Sequence, residues 1–304
     1  MMVINITNLK NIATQFGCKF VENASMKDYT TFRTGGTCPL LISPNSVSAL
    51  SEILKICKNS STPYTVLGNG SNVLVSDDGI DGIVIHIADD LNKITLLDET
   101  TIFCEAGVKL GALCNFALEN SLTGLEFAFG IPGSVGGAIF MNAGAYGGEM
   151  KDVVTQVYHV DDEGNEGLIS GDNLAFGYRT SAYEHNGYII TGAEFSLKKG
   201  DKDEIKTKMS DLLARRKDKQ PLEYPSAGST FKRPEGYFAG ALIEECNLKS
   251  TQIGGARVSE KHAGFIINYD NATSRDILEL IDFVKETVEK EKGVLLTPEV
   301  RILR

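Results

Sequence analysis

Apolar positions in this chain recur with two different periods, and the switches between them mark out short strands and amphipathic helices. Residues 46–57, SVSALSEILKIC, put Val47, Leu50, Ile53, Leu54 and Cys57 on one helical face, with Ser46 placed to cap it. The β-rich runs PYTVLG, NVLVS, GIVIHI and TTIFCEAG follow, separated by Gly, Asn and Asp in turn chemistry. A helical stretch, VKLGALCNFALEN (108–120), leads into a glycine-rich segment. After that segment VVTQVYHVDDEGNEG reads as a hairpin and GYIITGAEFSL as a strand.

Beyond GAEFSLKKG the pattern changes. Residues 202–218, KDEIKTKMSDLLARRKD, predict a charged helix with Ile205, Met209, Leu212 and Leu213 on one side, ending ahead of Pro221. A loop, YPSAGSTFKRPEG, is followed by a short helix in FAGALIEECNL and strands around GGARVS and AGFIINY. A long helix in ATSRDILELIDFVKETVEKEKG and a final strand in VLLTPEVRIL complete the chain. The class is α+β, with a compact α+β domain at the C-terminal end.

Composition narrows what such a chain can do. Its 304 residues suit two domains at about 150 residues each. A net charge of −10 disfavours nucleic acid and anionic membranes, so a phosphate-bearing ligand needs a local site. No run approaches the roughly 18 apolar residues of a membrane span, and the first residues lack the basic start and apolar block of a signal peptide. The expected location is the cytoplasm. Cysteines 18, 38, 57, 104, 114 and 246 form no CxxC pair, and His86, His159, His185 and His262 do not cluster, so no metal site is expected.

Glycine concentrates in three loops: TTFRTGGT (30–37), GNGSN (68–72) and GIPGSVGGA (130–138). The stretch from 130 to 148 alone holds seven glycines. Such density implies close backbone approaches or conformations that a β-carbon forbids. GNGSN after a strand resembles the start of a dinucleotide fingerprint, yet it lacks the third glycine and the following helix. Exposed amides in such a loop can still cradle a pyrophosphate. A helix opening at Ser134 would likewise offer free amides to a phosphate. Tight packing of that helix on a sheet requires the same small residues, and both readings hold for this segment.

Six motifs in order, TTFRTGG, LGNGSNVLVSD, GLEFAFGIPGSVGGAIFMNAGAYG, FGYRTS, YPSAGSTFKRP and TPEVRIL, span nearly the whole chain. Together they resemble the UDP-N-acetylenolpyruvoylglucosamine reductases (MurB), flavoenzymes of bacterial peptidoglycan synthesis and so of cell wall biogenesis, cell shape and cell division. The resemblance implies an FAD-binding domain of the vanillyl-alcohol-oxidase (PCMH) type over residues 30–198, after an N-terminal segment of residues 1–29. The resemblance also implies a C-terminal substrate-binding domain over residues 199–304, its last strand placed to return to the FAD domain. It implies FAD at Arg33, Thr34, Gly35, Gly36, Gly68, Asn69, Gly70, Ser71, Asn72, Gly130, Pro132, Gly133, Ser134, Gly136, Gly137 and Ala138. Many proteins of that wider fold carry a flavin-linking histidine just after the RxGG glycines. Thr37 stands there, so the expected FAD is non-covalent.

The reaction implied by the resemblance is NADPH-dependent reduction of the enolpyruvyl double bond of UDP-N-acetylglucosamine enolpyruvate, giving UDP-N-acetylmuramate. Charge builds beside the substrate carboxylate, which calls for a cation there and a proton source over the adjacent carbon. By motif, Arg179 of FGYRTS polarises the carboxylate, Ser229 of SAGSTF donates the proton and Glu299 of TPEVR assists the intermediate. Lys219 and Lys232, with Arg233 adjacent, are candidates for the diphosphate, and Tyr224 for stacking or hydrogen bonding. Only TSAYEHNG separates Arg179 from Tyr188, without the tyrosine-bearing insertion of long-form relatives, which marks the short form (type II). Two rivals stand beside this reading: another FAD-dependent oxidoreductase of the same fold, and a non-catalytic sugar-nucleotide binder. The first would lack the SAGSTFKRP and TPEVRIL motifs, and the second would hold no flavin.

Overall fold

The computed structural model describes residues 5–88 and 90–304. It divides into two compact units that interleave along the sequence. Of the described residues, the first comprises 5–22, 39–69, 82–88 and 90–215, and the second 23–38, 70–81 and 216–304. The divide falls within the strands Lys19–Ser25 and Thr37–Ser43 and within the helix Lys202–Lys219.

In the first unit, helix α1 (Ile6–Phe16) starts at Asn5, whose side chain accepts from the Asn8 amide, and ends at Gly17 in the left-handed region. Helix α2 (Val47–Asn59) is capped by Ser46 as its sequence predicts, and it buries Leu50, Ile53, Leu54 and Cys57. These side chains share one core with Leu40, Ile42, Ile83 and Ile85 of a sheet ordered Lys19–Ser25, Thr37–Ser43, Ile83–His86, Tyr64–Leu67. The last three strands of that sheet are parallel. A second, antiparallel sheet is ordered Glu166–Ser170, Val154–Val160, Ile189–Ser196, Thr101–Glu105, Ile94–Leu96. Its first two strands are the expected hairpin. Helices α3 (Leu110–Glu119) and α4 (Val135–Phe140) pack into the same core through Leu110, Leu113, Val135 and Ile139. Helix α5 (Lys202–Lys219) contributes Ile205 and Met209.

The second unit has its own core. Helix α6 (Ala239–Glu245) and the long helix α7 (Ser274–Lys292) contribute Leu242, Ile243, Ile277, Leu280, Ile281, Val284 and Val288. The α7 residues recur every three to four positions, the period that places a helical stripe against a sheet. That sheet is the antiparallel Gln252–Ile253, Ala256–Val258, Ile266–Asn268. Thr273 and Asp276 close a reciprocal capping box at the start of α7, and Gly293 ends it. The final strand, Arg301–Leu303, pairs in parallel with Val73–Val75. Among the described residues no helix is long and apolar enough to cross a membrane.

Candidate active site

In the first unit the GIPGSVGGA segment leads into α4, and Ser134 caps the helix by accepting from the Gly137 amide at 3.4 Å. The Val135 and Gly136 amides donate instead to Val108 O and Ala106 O, both at 2.8 Å. The amides of Val135, Gly136 and Gly137 therefore already have protein partners, which favours the packing reading of this helix start over that of free amides offered to a phosphate. A β-carbon on Gly136 would lie 3.0 Å from that of Ala106, so tight packing accounts for the glycine there. The first half of GNGSN sits against the same segment. The Asn69 Nδ2 donates to Pro132 O at 2.5 Å, and Gly68 faces the Ser134 hydroxyl. Pro132 and Gly137 are exposed, Gly130 and Gly133 half-buried, and Ala138 buried.

Just upstream, Glu126 of the GLEFAFG motif is 3% exposed and takes hydrogen bonds from the Thr123 hydroxyl, the Gly124 amide and Lys208. Burial alone raises its pKa, but these partners outweigh it and hold the carboxyl below the ordinary glutamate value. A depressed folded-state pKa contributes stability that is present above the unfolded value and is lost as pH falls through the folded one. Glu126→Gln is therefore expected to cost about 1.5–3 kcal/mol near pH 7, the scale of hydrogen bonds to a charged group. Urea denaturation should show the gap to the parent protein closing as the medium is acidified below the ordinary glutamate pKa.

Arg179 lies in a tight turn closed by Gly177 N–H to Thr180 O at 3.1 Å and Thr180 N–H to Gly177 O at 3.4 Å. Its own φ is +58°, in the left-handed region that non-glycine residues seldom occupy. The guanidinium is half-buried, stands 5.1 Å from the Tyr178 ring centre and donates to Gly144 O at 3.2 Å. Downstream, the Ser181 hydroxyl donates to Phe140 O at 2.8 Å. The buried Tyr183 donates to Val157 O and meets His159 Nδ1 at 2.9 Å. His159 also stacks on Tyr188, which gives this histidine a packing role. The Asn142 side chain holds the Arg179 turn from the other side, donating to Gly177 O at 2.8 Å. Asn142 was not singled out from sequence, where its one signal is a polar residue inside a run of small and apolar ones.

In the second unit the remaining motifs meet around two short backbone pairings. The Thr31 amide donates to Gly70 O at 3.1 Å, and the Thr31 hydroxyl to Ser226 O at 2.6 Å, which ties the TTFRTGG, GNGSN and YPSAGS loops together. Gly70 has φ +61°, and a β-carbon there would lie 2.0 Å from Tyr29 O, so the position admits only glycine. Gly36 donates to Ser76 O at 2.8 Å, and Gly35 rests on Val75. Asn268, buried, donates to Phe32 O at 3.0 Å beneath the exposed Arg33. The Asn72 Nδ2 donates to Glu299 O at 3.1 Å, and the Glu299 amide to Thr230 O at 2.8 Å. Ser229 immediately precedes Thr230 and is exposed, and Glu299 is half-buried. Ser71, next to Asn72, is half-buried.

Among the cationic candidates, the Lys232 backbone amide pairs with Thr297 O at 2.8 Å, and Lys219 is exposed at the end of α5. Arg233 lies over Phe238, 4.0 Å from the ring centre, and the Tyr224 ring lies 5.4 Å from that of Tyr269. Thr34 is 1% exposed, and its hydroxyl makes no hydrogen bond within the described residues. A buried hydroxyl without a partner costs about 1–3 kcal/mol, and an oxygen acceptor on a ligand at the RTGG loop removes that cost. The loop thus fits a cofactor rich in phosphate and carbonyl oxygens. All six cysteines are free and buried, and burial pushes Cys57 up to about 12, which leaves its thiol inert.

Residues 39–166 match the family model of an FAD binding domain, and residues 220–303 match that of the UDP-N-acetylenolpyruvoylglucosamine reductase C-terminal domain. The UDP-N-acetylenolpyruvoylglucosamine reductase of Clostridium novyi is 50% identical over 282 residues, covering 93% of this chain and 91% of that protein. The protein of the same description from Clostridioides difficile is 48% identical over 296 residues, covering 97% and 96%. A crystal structure of UDP-N-acetylenolpyruvylglucosamine reductase (MurB) from Thermus caldophilus superposes with a TM-score of 0.80 at 36% identity, covering 94% of this chain and 99% of that one. The expected α+β fold, an FAD-binding domain joined to a C-terminal domain of this kind, is borne out. With likeness of this depth along nearly its whole length, the chain belongs to the UDP-N-acetylenolpyruvoylglucosamine reductase family.

Proposed function

We propose that the chain reduces the enolpyruvyl group of UDP-N-acetylglucosamine enolpyruvate to give UDP-N-acetylmuramate, with NADPH as electron donor and FAD as cofactor, in the cytoplasm. The observation that carries the reading is the pair of hydrogen bonds from the Asn72 side chain to Glu299 O and from the Glu299 amide to Thr230 O, which joins the GNGSN, TPEVR and SAGSTF segments within one unit. Buried free cysteines suit a reducing compartment. When bound, FAD supplies two-electron hydride transfer. Arg33 to Gly36, Gly68 to Asn72 and the Gly130–Ala138 segment hold it in this reading, with the Thr34 hydroxyl paired to one of its oxygens.

The chain's own residues divide the remaining work. Arg179 binds the substrate carboxylate and stabilises the negative charge that spreads onto it. Ser229 gives its hydroxyl proton to the carbon next to that carboxylate, and its exposure leaves the hydroxyl open to a ligand. Glu299 assists from the segment just ahead of the final strand, Arg301–Leu303. Lys219 and Lys232 neutralise the diphosphate against the protein's overall negative charge, and Tyr224 contacts the substrate beside them.

Purified protein with NADPH should convert the enolpyruvyl sugar to a product two hydrogens heavier by mass spectrometry. NADPH consumption that does not depend on that sugar would overturn the assignment. Acid or heat should release the flavin as free FAD, because no linking histidine stands at Thr37. Flavin that stays with the precipitated protein would contradict non-covalent binding.

A further inference from the structure

Asn142 is fully buried, yet none of its polar groups is idle. Its Nδ2 donates to Gly177 O at 2.8 Å and to Glu149 Oε2 at 2.9 Å, and its Oδ1 accepts from the Lys151 amide at 3.0 Å. A carboxylate on one side and an amide donor on the other fix which way the side-chain amide points. Gly177 opens the turn that carries Arg179, and Glu149 pairs across the small hairpin with Gly144, whose carbonyl accepts from the Arg179 guanidinium at 3.2 Å. One side chain thereby grips both the backbone that bears the arginine and the hairpin that receives its head group.

The backbone around this grip is unusual in one respect. Asn142, Tyr146 and Arg179 all have φ between +43° and +58°. Non-glycine residues persist in that region where their surroundings over-determine them, and such residues gather at functional sites. Glu149 is held further by Lys151, whose ammonium lies 3.0 Å from Oε2, so the acceptor for Asn142 is itself fixed.

We propose that Asn142 is a positioning residue for Arg179, setting the direction of the guanidinium toward the substrate carboxylate. The inference rests on the assignment of Arg179 made above. Misplacing a catalytic group by about 1 Å costs on the order of 10²-fold in rate. Asn142→Gly tests it well, because glycine accepts the left-handed backbone and removes only the side chain. Asn142→Asp is the second variant, since it keeps the shape and the acceptor for Lys151 while losing both N–H donors.

Each variant should be made in the parent and in an Arg179→Ala background, and flavin content, melting temperature, KM and kcat measured for all. In the parent background kcat is expected to fall roughly 10²-fold with flavin retained. In the Arg179→Ala background the same change should have almost no further effect on kcat. A lowered melting temperature with unchanged kcat, or equal losses of kcat in both backgrounds, would show a structural role and overturn the inference. Near-normal turnover of Arg179→Ala alone would instead remove the assignment of Arg179, and this inference with it. If the glycine variant does not fold, the aspartate variant decides by the same two-background comparison.

Discussion

Ser229→Ala is expected to slow reoxidation of the reduced flavin by the enolpyruvyl sugar about 10²- to 10⁴-fold, the range of general-acid contributions. Reduction of the flavin by NADPH should proceed at nearly the parent rate. The asymmetry follows from the job proposed for Ser229, because a proton reaches the substrate carbon only in the second half of the reaction. A serine hydroxyl is a weak acid, so the proposed role requires that it be held in place against a strongly basic developing carbanion. The backbone supplies the holding: Thr230 O accepts from the Glu299 amide, the Thr230 amide donates to Gly264 O, and the Thr230 hydroxyl accepts from the Ile266 amide. Stopped-flow absorbance under nitrogen resolves the two halves. Slowed reduction with intact reoxidation would mean that Ser229 is not the proton donor.

Arg179→Ala should depress kcat by roughly 10²-fold or more, the scale for removing one electrostatic group from a developing charge. Flavin content should hardly change. Losing the guanidinium leaves the Gly177–Thr180 closure and the Ser181 and Tyr183 anchors in place. The φ of +58° disfavours alanine as it disfavours arginine, so the substitution adds little new backbone strain. Steady-state turnover beside the absorbance ratio of flavin to protein separates the two effects. Turnover within a few-fold of the parent would rule out the role.

Much of the fold was legible because periodicity is a local property. Helices α2, α5 and α7 follow from their apolar stripes, and the caps at Ser46 and Ser134 from their residue types. Helix α1 was not foreseen, although Asn5 and Gly17 close its ends and Leu9 and Ala13 line its buried side. The last strand, expected within VLLTPEVRIL, is found at Arg301–Leu303, with an isolated bridge between Phe231 and Pro298 ahead of it. Pro298 has no amide to donate, so it cannot continue a ladder. The grouping of residues 23–38 and 70–81 with 216–304 arises from long-range contacts that leave no local trace.

The site was legible in a different way. Its motifs stood out as runs of small residues, but what each glycine touches was not readable. Gly136 is demanded by Ala106, and Gly70 by Tyr29, so much of the glycine signal reports the protein's own packing. The amides at the start of α4 are engaged by Val108 and Ala106, partners separated from them by a whole helix in sequence. Asn142 acts on Gly177, 35 positions later, through a side-chain bond that no spacing rule anticipates.

The central claim is that one bound flavin carries electrons from NADPH to the enolpyruvyl sugar. An anaerobic titration in a single cuvette tests it most directly. One equivalent of NADPH should bleach the visible absorption band of the oxidised flavin. Adding the enolpyruvyl sugar should then restore the band in full, with one equivalent of reduced sugar formed. A flavin that stays bleached in the presence of that sugar and recovers only when oxygen is admitted would contradict the account.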